Sequence, residues 1–212
     1  MREYLQKVRE PREDPSMRRE LLTCAAVVLL GFSLGIFQKW LDGSGFNELP
    51  MIFQRLDITN FFGRLAIWIL LATILSVYAA TPLRASVHTF LFFLSMVSGY
   101  YLYCSAVLGF FPRSYAMVWI VLSFLSPLPA YLCWYAAGRG APAIVISALI
   151  LGVLFSQAFA LTQGFRVLYL PEVIVWAAAL VILRRETKGF AAEIGLSLAV
   201  ALFVQLFLPY WG

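Results

Sequence analysis

Few side chains in this 212-residue chain could do chemistry, and most of them stand where apolar segments begin or end. They are Lys39, Asp57, Arg64, Arg113, Arg166 and Glu172, with Asn60 one helical turn before Arg64 in the run N-F-F-G-R. Tyr100, Tyr101, Tyr103 and Gln163 lie at matching segment ends. A charge drawn toward hydrocarbon is costly, and such residues tend to face a bundle interior or a solute path. If the segments bundle, Arg64, Glu172, Arg113, Asp57, Asn60, Lys39, Tyr101 and Arg166 are expected to converge on one outward-facing polar pocket. Four bases against two acids would favour an anionic or zwitterionic small molecule there. The competing reading is an interface, because basic and aromatic residues mark the edges of a bilayer and long side chains snorkel to it. In that reading Asp57 caps a helix or pairs with Arg64.

Catalytic and cofactor chemistry finds little support. There is no H-E-x-x-H, G-x-S-x-G, P-loop or G-x-G-x-x-G, so neither a zinc-protease site nor nucleotide-driven transport is indicated. His88 is the single histidine, with no cysteine or acid at ligand spacing in the sequence, so no metal and no cofactor is expected and the ring should pack or hydrogen-bond locally. Cys24, Cys104 and Cys133 lie in apolar runs and read as buried free thiols. An intramembrane lipid-modifying enzyme would need His88 to meet Asp57 or Glu172, and the expected topology places it on the opposite side from both. The chain is therefore expected not to be an enzyme.

These residues must be positioned by helices in a membrane. Hydrophobic residues make up 62% of the chain and charged ones 13%, against about 25% charged in a soluble domain. The mean hydropathy is +0.84. The apolar runs are continuous rather than alternating, which argues against a β-barrel. The fold class is all-α: a polytopic bundle of about seven transmembrane helices, with six as the alternative. Residues 1–20 form a charged cytoplasmic segment, with a weak helical pattern over Glu3 to Arg9, and residues 21–212 form one helical membrane domain.

Expected spans are Leu21–Trp40, Phe61–Ala80, Ala85–Leu108, Ser114–Ala137, Pro142–Thr162, a short sixth ending near Leu183, and Phe190–Leu208. Between the first two, Leu49–Phe53 is too short to cross. Pro127 and Pro129 should kink the fourth span. Gly31 and Gly35, and the series Ala148, Gly152, Ser156, Ala160, offer faces for close helix contact. Pro171 to Leu183 is 13 residues, roughly 20 Å at 1.5 Å per residue. That is short for a core of about 30 Å. Either the helix continues outward past Pro171 or non-helical backbone dips into the bundle. Gln157 and Gln205 should face the interior and bond across helices. Trp134 and Tyr135 read as a cytoplasmic aromatic belt, and Trp40, Trp119 and Trp211 as its outer counterpart.

Basic residues set the orientation. The N-terminal side gathers Arg2, Lys7, Arg9, Arg12, Arg18, Arg19, Arg84, Arg139, Arg184, Arg185 and Lys188, leaving only five bases opposite. The positive-inside rule places the N-terminus in the cytoplasm. The net charge of +5 thus reads as topology and not as nucleic-acid binding. In size and layout the chain is similar to the substrate-binding subunits of energy-coupling-factor vitamin transporters, which usually have six spans. That likeness implies solute binding and a membrane partner subunit. Three functions follow in order of expectation: a cell-membrane solute-binding or transport protein, a structural or regulatory protein acting through helix contacts or homo-oligomers, and the lipid-modifying enzyme. Membrane lipids are partners in each.

Overall fold

A continuous apolar run can close its backbone hydrogen bonds only within itself, and the helix does this. The computed structural model describes residues 7–13, 16–45, 48–162, 164–185 and 187–208, and is 79% helical. Its helices are α1 (Met17–Gly43), α2 (Met51–Arg55), α3 (Ile58–Gly63), α4 (Ala66–Tyr78), α5 (Pro82–Ala106), α6 (Arg113–Leu125), α7 (Pro127–Trp134), α8 (Gly140–Ala158), α9 (Leu170–Ile182) and α10 (Thr187–Phe207). A 3-10 turn, Tyr135–Ala137, extends α7. Five helical segments among the described residues are long and apolar enough to cross a membrane, and α4 and α9 are shorter apolar helices of 13 residues each.

The helices alternate in direction. We call the end at which α1 begins the lower end. α1 and α5 run parallel, because Gly31 meets Phe92 and Ser95 while Gly35 meets Met96 and Tyr100. A Cβ on Gly35 would stand 2.0 Å from the Met96 carbonyl oxygen, so only glycine admits this approach. α8 and α10 form a second parallel pair, closed where Gly152 meets Ser197 and Val200. The short helices α4 and α9 run downward between the pairs and pack on each other through Ala66, Leu70, Val175 and Ala179. α6 and α7 descend beside α5 and lead to α8.

Several boundaries depart from expectation, each for a local reason. The second segment breaks at Arg64, whose backbone turns extended after Gly63. The fourth breaks at Ser126, since Pro127 and Pro129 have no amide hydrogen to donate. The Ser126 hydroxyl donates to Ser123 O at 2.8 Å, the acceptor that Pro127 leaves short. The fifth ends at Ala158 rather than Thr162, and Ala160 stands in a two-residue strand, β1 (Phe159–Ala160), paired antiparallel with β2 (Arg166–Val167). Non-helical backbone thus precedes α9, so the helix does not continue outward past Pro171, and Phe165, Arg166 and Val167 are exposed rather than dipping into the bundle. Gln205 of α10 satisfies it, accepting from Leu161 N at 2.8 Å and donating to the carbonyls of Ser156 and Phe159. The patch at residues 49–53 supplies most of α2. Of the expected N-terminal helix Lys7 and Val8 are helical and Arg9 is not, while Glu3 to Gln6, Gln163 and Trp211 lie outside the described residues.

Trp134 and Tyr135 are not an interfacial belt. Both are buried, and Trp134 Nε1 donates to Ala79 O at 2.9 Å. The cause is the N-terminal segment, which lies across them. Arg9 stacks 4.2 Å from the Trp134 ring centroid and donates to Trp134 O and to Val77 O, the latter at 2.8 Å. These carbonyls end α7 and α4, where a cation is favoured. Burial, then the neighbouring Arg12, pulls the Arg9 guanidinium down to about 10, still charged at neutral pH.

Candidate functional site: an apolar cleft among four charged clusters

The eight expected site residues divide into separate places. The first is the upper end of the α4–α9 seam. Arg64 Nε donates to the carboxylate of Glu172, and Arg64 Nη1 donates to Asp57 Oδ2 at 3.1 Å. Asn60 Nδ2 donates to the other Asp57 oxygen at 2.7 Å, and the Tyr169 ring covers the guanidinium at 3.9 Å. Glu172 is 0% exposed and Arg64 18%. Asp57 stands in the left-handed region, φ 51°, which turns its carboxylate back toward Arg64. It makes no capping bond to α3, so pairing with Arg64 is its role. Arg64 Nη2 and Glu172 Oε2 are buried with no partner among the described residues.

Lys39 and Tyr101 lie elsewhere. Lys39 Nζ sits 4.0 Å from Asp42 and donates to the Tyr100 hydroxyl at 3.4 Å, and that hydroxyl donates to Asp42 Oδ2 at 2.7 Å. Arg113 opens α6 and Arg166 lies on β2, both exposed and in no ion pair among the described residues. The structure thus brings Arg64, Glu172, Asp57 and Asn60 together and leaves Lys39, Tyr101, Arg113 and Arg166 outside that group.

The principal cavity belongs to none of the three residues on which a convergent pocket would depend. It encloses ≈ 570 Å³ between α4, α5, α6, α7 and α8, and Arg64, Arg113 and Glu172 are absent from its walls. Its body is apolar, built from residues such as Ile69, Phe93, Trp119 and Ile150. Gln38, Asp42, Tyr100, Tyr101 and Tyr115 mark its upper end. The hydroxyls in its lower half are already engaged: Thr73 donates to Ile69 O, Ser123 to Trp119 O, and Ser76 meets Thr89 at 3.4 Å. Tyr101 differs. Its ring is buried against Phe111 and its hydroxyl has no partner among the described residues. The cavity opens sideways between α6–α7 and α8, where Leu122, Leu132 and Leu149 line it while remaining about half exposed.

Two charged clusters at the lower end were not foreseen as such. Arg185 donates to Gly138 O, Ala136 O, Ala143 O and Ser147 Oγ, and its Nε donates to Glu193 at 3.0 Å. It closes the turn between α7 and α8, although the sequence marks it only as a topological charge. His88 is not isolated either. Its Nε2 lies 3.0 Å from Glu20 Oε1, Arg84 donates to Glu20 Oε2, and Cys24 stands beside both. The signal available in the sequence was the i, i+4 pair Glu20–Cys24 on one helix and Arg84–His88 on another. Parallel packing of α1 on α5 was needed to join them. No protein-family model, curated protein or solved structure matches this chain.

Proposed function

We propose that the chain is a multi-pass protein of the cell membrane that binds an amphipathic, largely apolar molecule in the lateral cleft, as a carrier or as the binding subunit of a larger transporter. The observation that carries this reading is a cleft of ligand size with apolar walls and one unpartnered buried hydroxyl, that of Tyr101. Binding sites for small molecules commonly enclose about 300–1,000 Å³ of mostly apolar wall with few polar groups to orient the ligand. The side opening suits entry from a bilayer, since its edges are leucines. A hydroxyl, carbonyl or similar group of the ligand would meet Tyr101, with Lys39 and Asp42 beyond it. A small anion is less well served, because Lys39 is paired with Asp42 and none of Arg64, Arg113 and Arg166 lines the cleft.

Seven crossings with a cytoplasmic N-terminus belong to the same proposal. An odd number is supported by α1 and α10 running in the same direction, and the basic lower end agrees with the positive-inside rule. α4 and α9 reach only about 20 Å, but α3 and the β-hairpin complete their paths. The polar backbone at β1 is buried in protein, where non-helical backbone is tolerated, and the exposed β2 would lie at the membrane surface. A scaffold acting through its small-residue faces gains no support, because Gly31, Gly35, Ala148 and Gly152 are consumed by packing inside the chain.

The test is a thermal-shift screen of the full chain in maltoside detergent. Single-chain amphiphiles (a fatty alcohol, a fatty acid, lysophosphatidylcholine) are compared with amino acids and nucleosides. An amphiphile should raise Tm, and Ala72→Phe, which fills the wall of the cleft, should remove that shift. Shifts with the water-soluble set alone, or an amphiphile shift that Ala72→Phe leaves intact, would count against the cleft.

A further inference from the structure

We infer that Glu20, Cys24 and His88 form a binding site for a divalent transition-metal ion of borderline softness, zinc being the ion whose chemistry fits best. One carboxylate oxygen, one sulfur and one imidazole nitrogen lie within 4.8 Å of one another. Oxygen, sulfur and nitrogen donors in tetrahedral geometry suit Zn²⁺ or Co²⁺ and are poor for Mg²⁺ or Ca²⁺. The arrangement is built rather than casual. Glu20 and Cys24 are one turn apart on α1, so both project from one face. His88 projects from α5 toward that face, and its ring is 6% exposed, which restricts its orientation. The two helices cannot drift apart, because Gly31, Gly35 and Gly99 lock them backbone to backbone.

The carboxylate is also oriented from behind. Arg84 holds Glu20 Oε2, while Oε1 faces His88 Nε2 at 3.0 Å. An outer partner on a ligating carboxylate is a regular feature of metal sites and fixes which oxygen is offered. In the metal-free state the hydrogen bond between His88 and Glu20 fills the position an ion would take. Binding replaces that proton-mediated contact by shifting the imidazole proton from Nε2 to Nδ1 through water, ionises the Cys24 thiol, and releases the thiol proton to water. With Cys24 and Glu20 both anionic, a divalent ion brings the three ligands to neutrality, and Arg84 adjoins them as a positive charge. Three protein donors leave a tetrahedral ion one place for water, and partial exposure of Cys24 gives access.

A plain ion-pair cluster of Glu20, Arg84 and His88 would explain the same hydrogen bonds but would give Cys24 no part. The experiment turns on that difference. The full chain in detergent is stripped with chelator and titrated with Co²⁺, which reports thiolate ligation by a near-ultraviolet charge-transfer band and tetrahedral geometry by visible d–d bands. One equivalent should bind, and Zn²⁺ should displace it. Cys24→Ser should abolish the charge-transfer band, while Cys104→Ser and Cys133→Ser keep it. His88→Asn should weaken binding by at least about tenfold, since outer partners alone are worth about 10–100-fold. Absence of the band, or its loss in Cys104→Ser or Cys133→Ser but not in Cys24→Ser, would overturn the site. Should Cys24→Ser fail to fold, X-ray absorption at the zinc edge of the unsubstituted chain decides: one sulfur neighbour supports the site, and a shell of oxygen and nitrogen alone rejects it.

Discussion

The seam around Arg64 and the cleft beside it treat polarity in opposite ways. At the seam, one guanidinium is divided between Glu172 and Asp57 and covered by Tyr169, so its Nε and Nη1 are spent within the chain while Nη2 has no partner among the described residues. In the cleft, ≈ 570 Å³ is walled by apolar side chains, and the hydroxyl of Tyr101 has no partner among the described residues. Charge inside an apolar bundle is the more conspicuous feature of the sequence, yet here it ties α4 to α9. The cavity lies where the sequence is blandest. A buried charge must find its partner to be tolerated at all. A group already paired in this way has little left to offer a ligand.

The largest expected effect comes from breaking the seam on one side only. Glu172→Leu would leave Arg64 with Asp57 alone and put an under-compensated charge against an apolar wall. Breaking a buried pair in this way typically destabilises by about 3–5 kcal/mol. Replacing both partners, Arg64→Met with Glu172→Leu, should recover most of that loss, because a well-packed apolar pair can match a buried ion pair. Unfolding in mixed detergent micelles measures both. If the double variant is no better than the single one, Arg64 has a use beyond pairing, and the contrast with the cleft weakens.

A smaller effect is expected from the packing that holds both regions in place. At Gly35 an added Cβ would meet backbone 2.0 Å away, whereas at Gly43 it would meet nothing within 4 Å. Gly35→Val should therefore cost about 1–3 kcal/mol or more by overpacking, and Gly43→Ala should stay within about 0.5 kcal/mol. Equal effects would mean that α1 and α5 are not in register as described. Because α5 also forms a wall of the cleft, Gly35→Val should depress amphiphile binding while leaving the Arg64 ion pairs intact.

This division shows what was legible in the sequence. The Gly31–Gly35 spacing, the break at Pro127 and Pro129, and the irregular start at Pro171-Glu172 are local patterns, and each correctly marks a feature of its own segment. Arg64 and Glu172 could be recognised singly as costly charges. Their pairing spans 108 positions and depends on two short helices descending side by side. The same holds for Glu20 and His88, 68 positions apart. The cleft was not legible at all, since its wall residues are the same leucines, isoleucines and aromatics that fill the core. What makes them a wall is that α6 leans on α5 and stands away from α8, a relation between helices that no single segment records. Trp134 misled for a related reason: an aromatic near a segment end resembles an interface anchor until another part of the chain, here Arg9, covers it.

The smallest effect on stability should be the most informative about the cleft. Tyr101→Phe removes a hydroxyl with no partner among the described residues, so the ligand-free protein should keep its stability within about 0.5 kcal/mol or gain slightly, as relieving an unsatisfied buried polar group predicts. For an amphiphile whose polar group reaches this hydroxyl, the same substitution should lower affinity by roughly tenfold, about 1.4 kcal/mol. The two measurements together separate the roles. A loss of stability without ligand would show that Tyr101 already serves the fold, as Arg64 does. Unchanged affinity would show that the ligand lies along the apolar wall without engaging the hydroxyl. Intact stability with weakened binding is the pattern that a polar group held in reserve for a guest must give.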